Sequence, residues 1–370
     1  MTDPPGGEPL RTSPLHDRHL ALGAKTAAFG GWERPLEYPG GGVLKEHAAV
    51  RNAVGVFDVS HLGNVRVRGT GAQAYVDGCL TNALDRIEPG QAQYTLACDA
   101  GTGGVVDDMI AYLVSADDVV LVPNAANAAE VARRLRADAP DGVEVVDRHQ
   151  AVVAVQGPRS GELLAGVGLP AGHPYMSFES ATLGAVPLVV GRTGYTGERG
   201  YELVTPPETA GQVWDALLAA GEPLGVRACG LGARDTLRTE MGYPLHGQEL
   251  GPDITPVQAR LGWAVGWDKP AFWGREVLAA ERAEGARRLL RGLLAVGRGI
   301  PRHGMQVAGP APGAVGVVTS GTFSPTLRTG IGLALLDRSV GDGDEVVVEV
   351  RGRREPFTVT KPPFVQTSLR

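Results

Sequence analysis

The 370-residue chain exceeds a single ordinary core and reads as two or three domains, at roughly 100–200 residues each. A hydrophobic fraction of 43% and a charged fraction of 21% are those of a globular protein, and a formal net charge of −6 excludes a general nucleic-acid binder, which needs a basic field against phosphates. Cys79, Cys98 and Cys229 show no CxxC spacing, Met1 to Leu15 carries no secretory or Arg-rich transit pattern, and no apolar run approaches the roughly 18 residues of a spanning helix, so the expectation is a cytoplasmic protein without membrane contact.

From Ser13 to about Trp32 the pattern predicts a short helix running into a Gly-Gly turn, and Lys45 to Ala53 predicts another helix. Val65 and Val67 alternate with arginines as in a half-exposed strand, and a helix is expected after Gly69, from Ala72 to Leu80. Short strands follow at Gln93 to Cys98, Met109 to Val114 and Val119 to Val122, then an amphipathic helix from Ala126 to about Ala137. The run Ala151 to Gln156 is apolar and β-branched, as in a buried strand, and Gly211 to Ala220 reads as a helix. After Val226 the Gly-rich CGLGARDTLRTEMGY leads into a further helix. The composition changes after Trp273: a charged helical stretch, Arg275 to Ala286, gives way to Val/Gly-rich alternation up to Pro363 that reads all-β. The chain therefore divides into a region over 1–274 and a small barrel or sandwich over 287–370.

Several motifs have a bland reading beside a chemical one. Gly69, Gly71 and Ala74 spell GxGxxA, but the preceding VRVR strand is half polar, which suits a turn better than a dinucleotide site. Ser60 and His61 are adjacent and lack a GxSxG elbow, while His47 and His246 read as structural, with no metal-ligand cluster near them. Asp107 and Asp108 follow a Gly-Gly turn and open a β-like run, where alternation sends the two carboxylates to opposite sides: either a turn-ending acidic pair, or one acid facing a pocket. GRTGYTGERGYEL, Gly191 to Leu203, is either a plain hairpin or a loop that cups a planar heterocycle, with a carboxylate for an amidine-like edge and tyrosines for stacking. In LGARDTLR, Arg234 near the first turn of a helix can clamp a ligand carboxylate or pair internally with Asp235.

Taken in order, FDVSHLG (Phe57 to Gly63), GGVVDD (Gly103 to Asp108), GYTGERGYE (Gly194 to Glu202), GLGARDTLRTEMGYPLHGQE (Gly230 to Glu249), TSGTFSPTL (Thr319 to Leu327) and KPPF (Lys361 to Phe364) resemble the glycine-cleavage T-protein (aminomethyltransferase) family over nearly the whole chain. The resemblance implies an α+β protein in a three-domain, cloverleaf-like arrangement: a ferredoxin-like part, a second α+β part interleaved with it, and a C-terminal β-barrel. It implies folate in a central channel, and the sequence, with no dense ligand cluster, gives no metal site. It also implies transfer of an aminomethyl group from the dihydrolipoyl arm of the H-protein to tetrahydrofolate, the co-substrate, with release of ammonia. Carried over by motif, Asp107 matches the catalytic aspartate, Glu202 the folate-binding glutamate, Tyr94 and Tyr195 aromatic walls, Asn124 a pocket asparagine and Arg234 the ligand-binding arginine. Leu62 departs from the usual methionine, Pro123 from the usual VVNA, and Arg370 ends the tail where relatives place a ligand contact; Arg370 is left out of the candidate set. Two alternatives remain within the superfamily, a standalone folate-dependent demethylase and a non-catalytic folate-binding maintenance factor.

Overall fold

The computed structural model describes residues 9–309 and 313–367, so the tail position Arg370 lies outside the described residues. Its strands form a three-stranded sheet, a six-stranded sheet, a five-stranded antiparallel sheet and a closed six-stranded barrel. The strand Val54–Asp58 lies inside the six-stranded sheet; the chain then leaves to build the whole five-stranded sheet between residues 64 and 148. It returns at Ala151–Gln156, which pairs antiparallel with both Val54–Asp58 and Gly200–Thr205. Two α+β units are thereby interleaved, and residues 288–360 close the barrel beyond them. The fold class expected from the resemblance, α+β with a C-terminal barrel, is the one observed.

The strand patterns follow from what covers each sheet. Val153 and Val155 pack with Trp214, Leu163 and Leu217 on one face of the six-stranded sheet, while Val152 and Ala154 pack with Phe57, Val50 and Leu237 on the other. Successive side chains point to opposite faces, so a strand covered on both sides is apolar throughout, which is why Ala151–Gln156 reads as a continuous run. The helices Ala72–Cys79 and Ala128–Ala137 cover the five-stranded sheet through Val76, Val131 and Leu135, and Leu293, Val318, Leu336 and Phe357 fill the barrel.

Two expectations are corrected, and further strands appear. The stretch after Ala21 is a hairpin of Lys25–Phe29 and Trp32–Glu37, because Gly30 and Gly31, at φ 56° and 80°, make the two-residue turn that matches strand twist. The strand expected from Met109 begins at Val105, so Asp107 and Asp108 lie within it rather than before it. Glu144–Arg148, Phe178–Leu183 and Val186–Gly191 are strands that periodicity left unassigned. The GxGxxA segment is a turn: Asn64–Arg68 pairs antiparallel with both its neighbours, and a Cβ on Gly69 would lie 1.9 Å from the Gly142 carbonyl oxygen. Among the described residues no helix is long and apolar enough to cross a membrane.

Buried carboxylates fasten the parts together. Asp58 of FDVSHLG accepts hydrogen bonds from Ser13, His19 and Arg34. Glu240, fully buried in the helix Leu231–Met241, accepts from His47 Nε2 at 2.9 Å, Arg51 Nη2 at 2.7 Å and Ser324 Oγ at 2.5 Å, joining the helix Gly42–Asn52 to the barrel. Burial opposes its ionisation, but the His47 and Ser324 hydrogen bonds and the Arg51 charge bring it down to about 2. Its contribution is therefore present above the ordinary glutamate value and is lost as pH falls through about 2. In urea unfolding at neutral pH, Glu240→Ala is expected to cost ~3–5 kcal/mol, since it breaks a buried ion pair with Arg51 and leaves the His47 and Ser324 donors without their acceptor; a loss under about 1 kcal/mol, the level of an exposed ion pair, would contradict this role.

Candidate active site

Asp107 and Asp108 stand opposite Ala97 and Leu96 of the strand Gln91–Cys98, next to a break in the ladder between Ala97 and Cys98. Asp107 has no exposed surface; its Oδ2 accepts from Asn124 N at 2.9 Å, and its Oδ1 from Asn124 Nδ2 at 2.9 Å and Asn127 Nδ2 at 2.7 Å. Asp108 is half-buried; its Oδ2 accepts from the Tyr94 hydroxyl at 3.0 Å and its Oδ1 from Asn124 Nδ2 at 2.9 Å. Simple alternation predicts two carboxylates facing apart, yet both reach the same amide beside the ladder break. The Asn124 amide, with two hydrogens, faces three acceptors there, since the Asp108 carbonyl oxygen also lies 3.0 Å away.

That crowding has an electrostatic counterpart. Burial and the neighbouring Asp108 charge push Asp107 up to about 7, against the donors on Asn124 and Asn127. Burial pushes Asp108 up as well, opposed by the Tyr94 hydrogen bond and by His246, whose Nε2 lies 3.3 Å from the Val105 carbonyl oxygen on the same strand. Two carboxylates in a dry site that share one amide keep a proton at higher pH than either would alone, and the proton belongs to the pair. Sequence reasoning took His246 as structural; only the docking of the PLHGQE loop onto the start of this strand brings it near Asp108.

A second cluster forms on the helix Leu231–Met241. This helix follows Gly230, where a Cβ would lie 2.3 Å from the Leu36 carbonyl oxygen, so only glycine permits the approach of the Lys25–Glu37 hairpin. Arg238, one turn beyond Arg234, binds Asp235 Oδ1 at 2.7 Å, Glu249 Oε2 at 2.8 Å and Ser320 Oγ at 2.7 Å. The internal partner that the sequence offers Arg234 is thus taken, and Arg234 makes no ion pair with any described residue. Its guanidinium carbon lies 4.6 Å over the ring of Tyr195, a cation–π contact that holds the side chain while leaving its N–H groups available. Tyr195 is fixed by donating to the Pro244 carbonyl and by stacking on Tyr243 with ring centroids 5.9 Å apart. Glu202 Oε2 accepts from Thr193 Oγ1 at 2.6 Å, and its Oε1 takes no hydrogen bond among the described residues.

Tyr195 and Arg234 line a cavity of about 470 Å³ between the Lys25–Glu37 hairpin, the helix and the barrel. Phe29, Leu36 and Leu245 give it an apolar wall; Gln248, Arg302, His303 and Thr319 give it a polar one. Tyr94, Asp107, Asn124 and Glu202 do not line this cavity. The link is electrostatic: Tyr195 feels the charges of both Asp108 and Arg234, while Arg234 feels Glu202. His61, set aside in the sequence as a triad member, is buried with its Nδ1 unpartnered and edge-on to Phe29 at 5.5 Å; burial and the Arg34 and Arg234 charges hold it well below the ordinary imidazole value, hence neutral. A second hollow of about 510 Å³, lined by Lys25 and the Glu37 to Leu44 run, contains none of the expected residues.

A cavity lined by Tyr195 and by an arginine without an ion pair among the described residues, with a proton-holding carboxylate pair outside its lining but within electrostatic reach of Tyr195, forms a candidate active site. The GCVT N-terminal domain family model matches residues 15–269, and the glycine cleavage T-protein C-terminal barrel domain model matches residues 287–366. An aminomethyltransferase of Parafrankia sp. (strain EAN1pec) is 65% identical over 98% of this chain and 99% of the relative, and that of Mycobacterium tuberculosis (strain H37Rv) is 57% identical over 96% and 97%. The solved structure of the glycine cleavage system aminomethyltransferase T from Bartonella henselae superposes with a TM-score of 0.91 at 33% identity, covering 96% of this chain and 98% of that one. The chain belongs to the glycine cleavage T-protein (aminomethyltransferase) family.

Replacing Asp107 by Asn removes a like charge beside Asp108, so the surviving carboxyl should ionise at lower pH than the upper step of the wild-type pair. Carboxyl-carbon NMR titration checks this. An unchanged or raised Asp108 midpoint would mean that the two acids do not share a proton.

Proposed function

We propose that this chain passes the aminomethyl group of a dihydrolipoyl H-protein to tetrahydrofolate, releasing ammonia, and does so in the cytoplasm. The observation that carries this reading is that Tyr195 feels the charge of Asp108, one of a carboxylate pair that holds a proton near neutrality, and carries over its ring an arginine with no ion pair among the described residues. The residues fit a folate: Arg234 suits a ligand carboxylate, the free Oε1 of Glu202 suits the N–H groups of a pterin edge, and Tyr94, stacked on Trp263 at 5.4 Å, adds aromatic surface, while Tyr195, already engaged by Arg234 and Tyr243, positions the guanidinium. Tetrahydrofolate, when bound, supplies the nitrogens that accept the one-carbon unit.

The transfer moves two protons, from folate nitrogens to the sulfur of the arm and to the departing amine. A carboxyl that changes protonation near neutral pH can relay them and can stabilise positive charge growing on the methylene carbon. The family resemblance points to Asp107 for this role. We assign it to Asp108 instead: Asp107 has no exposed surface and is held by three N–H donors, whereas Asp108 keeps exposed surface beside Tyr94. Asp107 then acts through its neighbour, raising the pH at which Asp108 holds its proton, and Asn124 fixes both.

Mixing the purified protein with aminomethylated H-protein and tetrahydrofolate should release ammonia; no release, with turnover of a small methylated amine instead, would favour a demethylase. Asp108→Ala is expected to cost turnover ~10²–10⁴-fold while folate affinity stays within a few fold, because the proposed role lies in the transition state. Equal loss of both would reduce Asp108 to a ground-state contact. Arg234→Ala should weaken folate binding by ~2–4 kcal/mol in calorimetry, the scale of a buried charge-assisted pair; unchanged affinity would refute its placement.

A further inference from the structure

The barrel contributes Arg302, His303 and Thr319 to the cavity that Arg234 lines. Arg302 is exposed at its rim and donates Nη1–H to the Gly321 carbonyl at 2.9 Å, which fixes the guanidinium and leaves its other N–H groups unengaged. His303 Nδ1 lies 2.9 Å from the Thr319 carbonyl oxygen, so that nitrogen carries the hydrogen, and in the neutral ring Nε2 is left as an acceptor, suited to an amide N–H of a ligand rather than to a carboxylate. Thr319 is 5% exposed, yet its hydroxyl has no hydrogen-bond partner, an arrangement that is unfavourable unless an acceptor enters the cavity. Asp235, the acid on this wall, is already bound by Arg238. Cationic and hydroxyl donors therefore continue outward from Arg234 with no internal acid to satisfy them.

We propose that Arg302, His303 and Thr319 form a subsite for the γ-linked glutamate tail of a polyglutamylated folate. The proposal rests on the folate reading above: with Arg234 on the α-carboxylate of the first glutamate, each further γ-linked residue adds one carboxylate toward the barrel rim. The subsite selects for tail length and leaves recognition of the pterin unchanged.

Calorimetric titration with tetrahydropteroyl mono- and triglutamate tests it on the full chain. Wild type should bind the triglutamate about tenfold more tightly, an advantage that shrinks as salt is raised. The double variant Arg302→Gln, His303→Gln should bring the two ligands within about twofold of each other, at an unchanged melting temperature, because both side chains are exposed. Thr319→Val, which keeps the shape and removes the hydroxyl, should lose part of the advantage. Equal binding of both ligands by wild type, or equal weakening of both in the double variant, would overturn the subsite while leaving the folate reading intact. Failure of wild type to bind either ligand would overturn both.

Discussion

Arginine needs an acid nearby when it is buried, and the helix Leu231–Met241 carries two arginines one turn apart with Asp235 between them. Arg238 takes Asp235 together with Glu249 and Ser320, so its own charge is neutralised and the helix is tied to the barrel. Arg234 is left with an aromatic face and no carboxylate. A cation–π contact is weak beside a charge-assisted hydrogen bond, so it can position the guanidinium without competing with an incoming ligand acid. The binding chemistry of the cavity depends on this unequal division of acids between neighbouring arginines.

The reacting end is governed by the opposite problem, an excess of negative charge. Asp107 and Asp108 lie side by side on a strand whose other residues build a core, and they have one asparagine amide to share. Desolvation raises both acids, the Asp108 charge raises Asp107 further, and the hydrogen bonds from Asn124, Asn127 and Tyr94 oppose the shift. The interleaved topology brings these halves together. Because the chain leaves the six-stranded sheet to make the five-stranded one and then returns, Asp108 from the second sheet and Tyr195, in the loop between the strands Val186–Gly191 and Gly200–Thr205 of the first, come within electrostatic range.

Much of this was legible in the sequence, for identifiable reasons. Ala151–Gln156 announced a doubly covered strand by its apolar run, the Val/Gly alternation after Trp273 announced the barrel, and the ordered motifs pointed to the family. What stayed hidden depends on contacts between distant segments. The Lys25–Phe29 strand looked helical because alanines suit either state, and only the positive φ of Gly30 and Gly31 turns it into a hairpin. Whether Asp235 serves Arg234 or Arg238 is open in the sequence, since both lie within one helical turn; Glu249 and Ser320, brought in by folding, decide it. Which aspartate keeps exposed surface is likewise decided by Asn124 and Asn127, and the donors of Arg302 and Thr319 come from the barrel, far along the chain.

The central claim is that one bound folate spans from the acid pair to the free guanidinium. A crystal structure of the protein with tetrahydrofolate tests it directly. Expected in that complex are a ligand carboxylate within hydrogen-bond distance of Arg234, the pterin edge on Glu202, and the reactive nitrogens facing Asp108 beside Tyr94. A ligand seated with its pterin against Arg234, or lodged in the hollow beside Lys25 and Leu44, would contradict it.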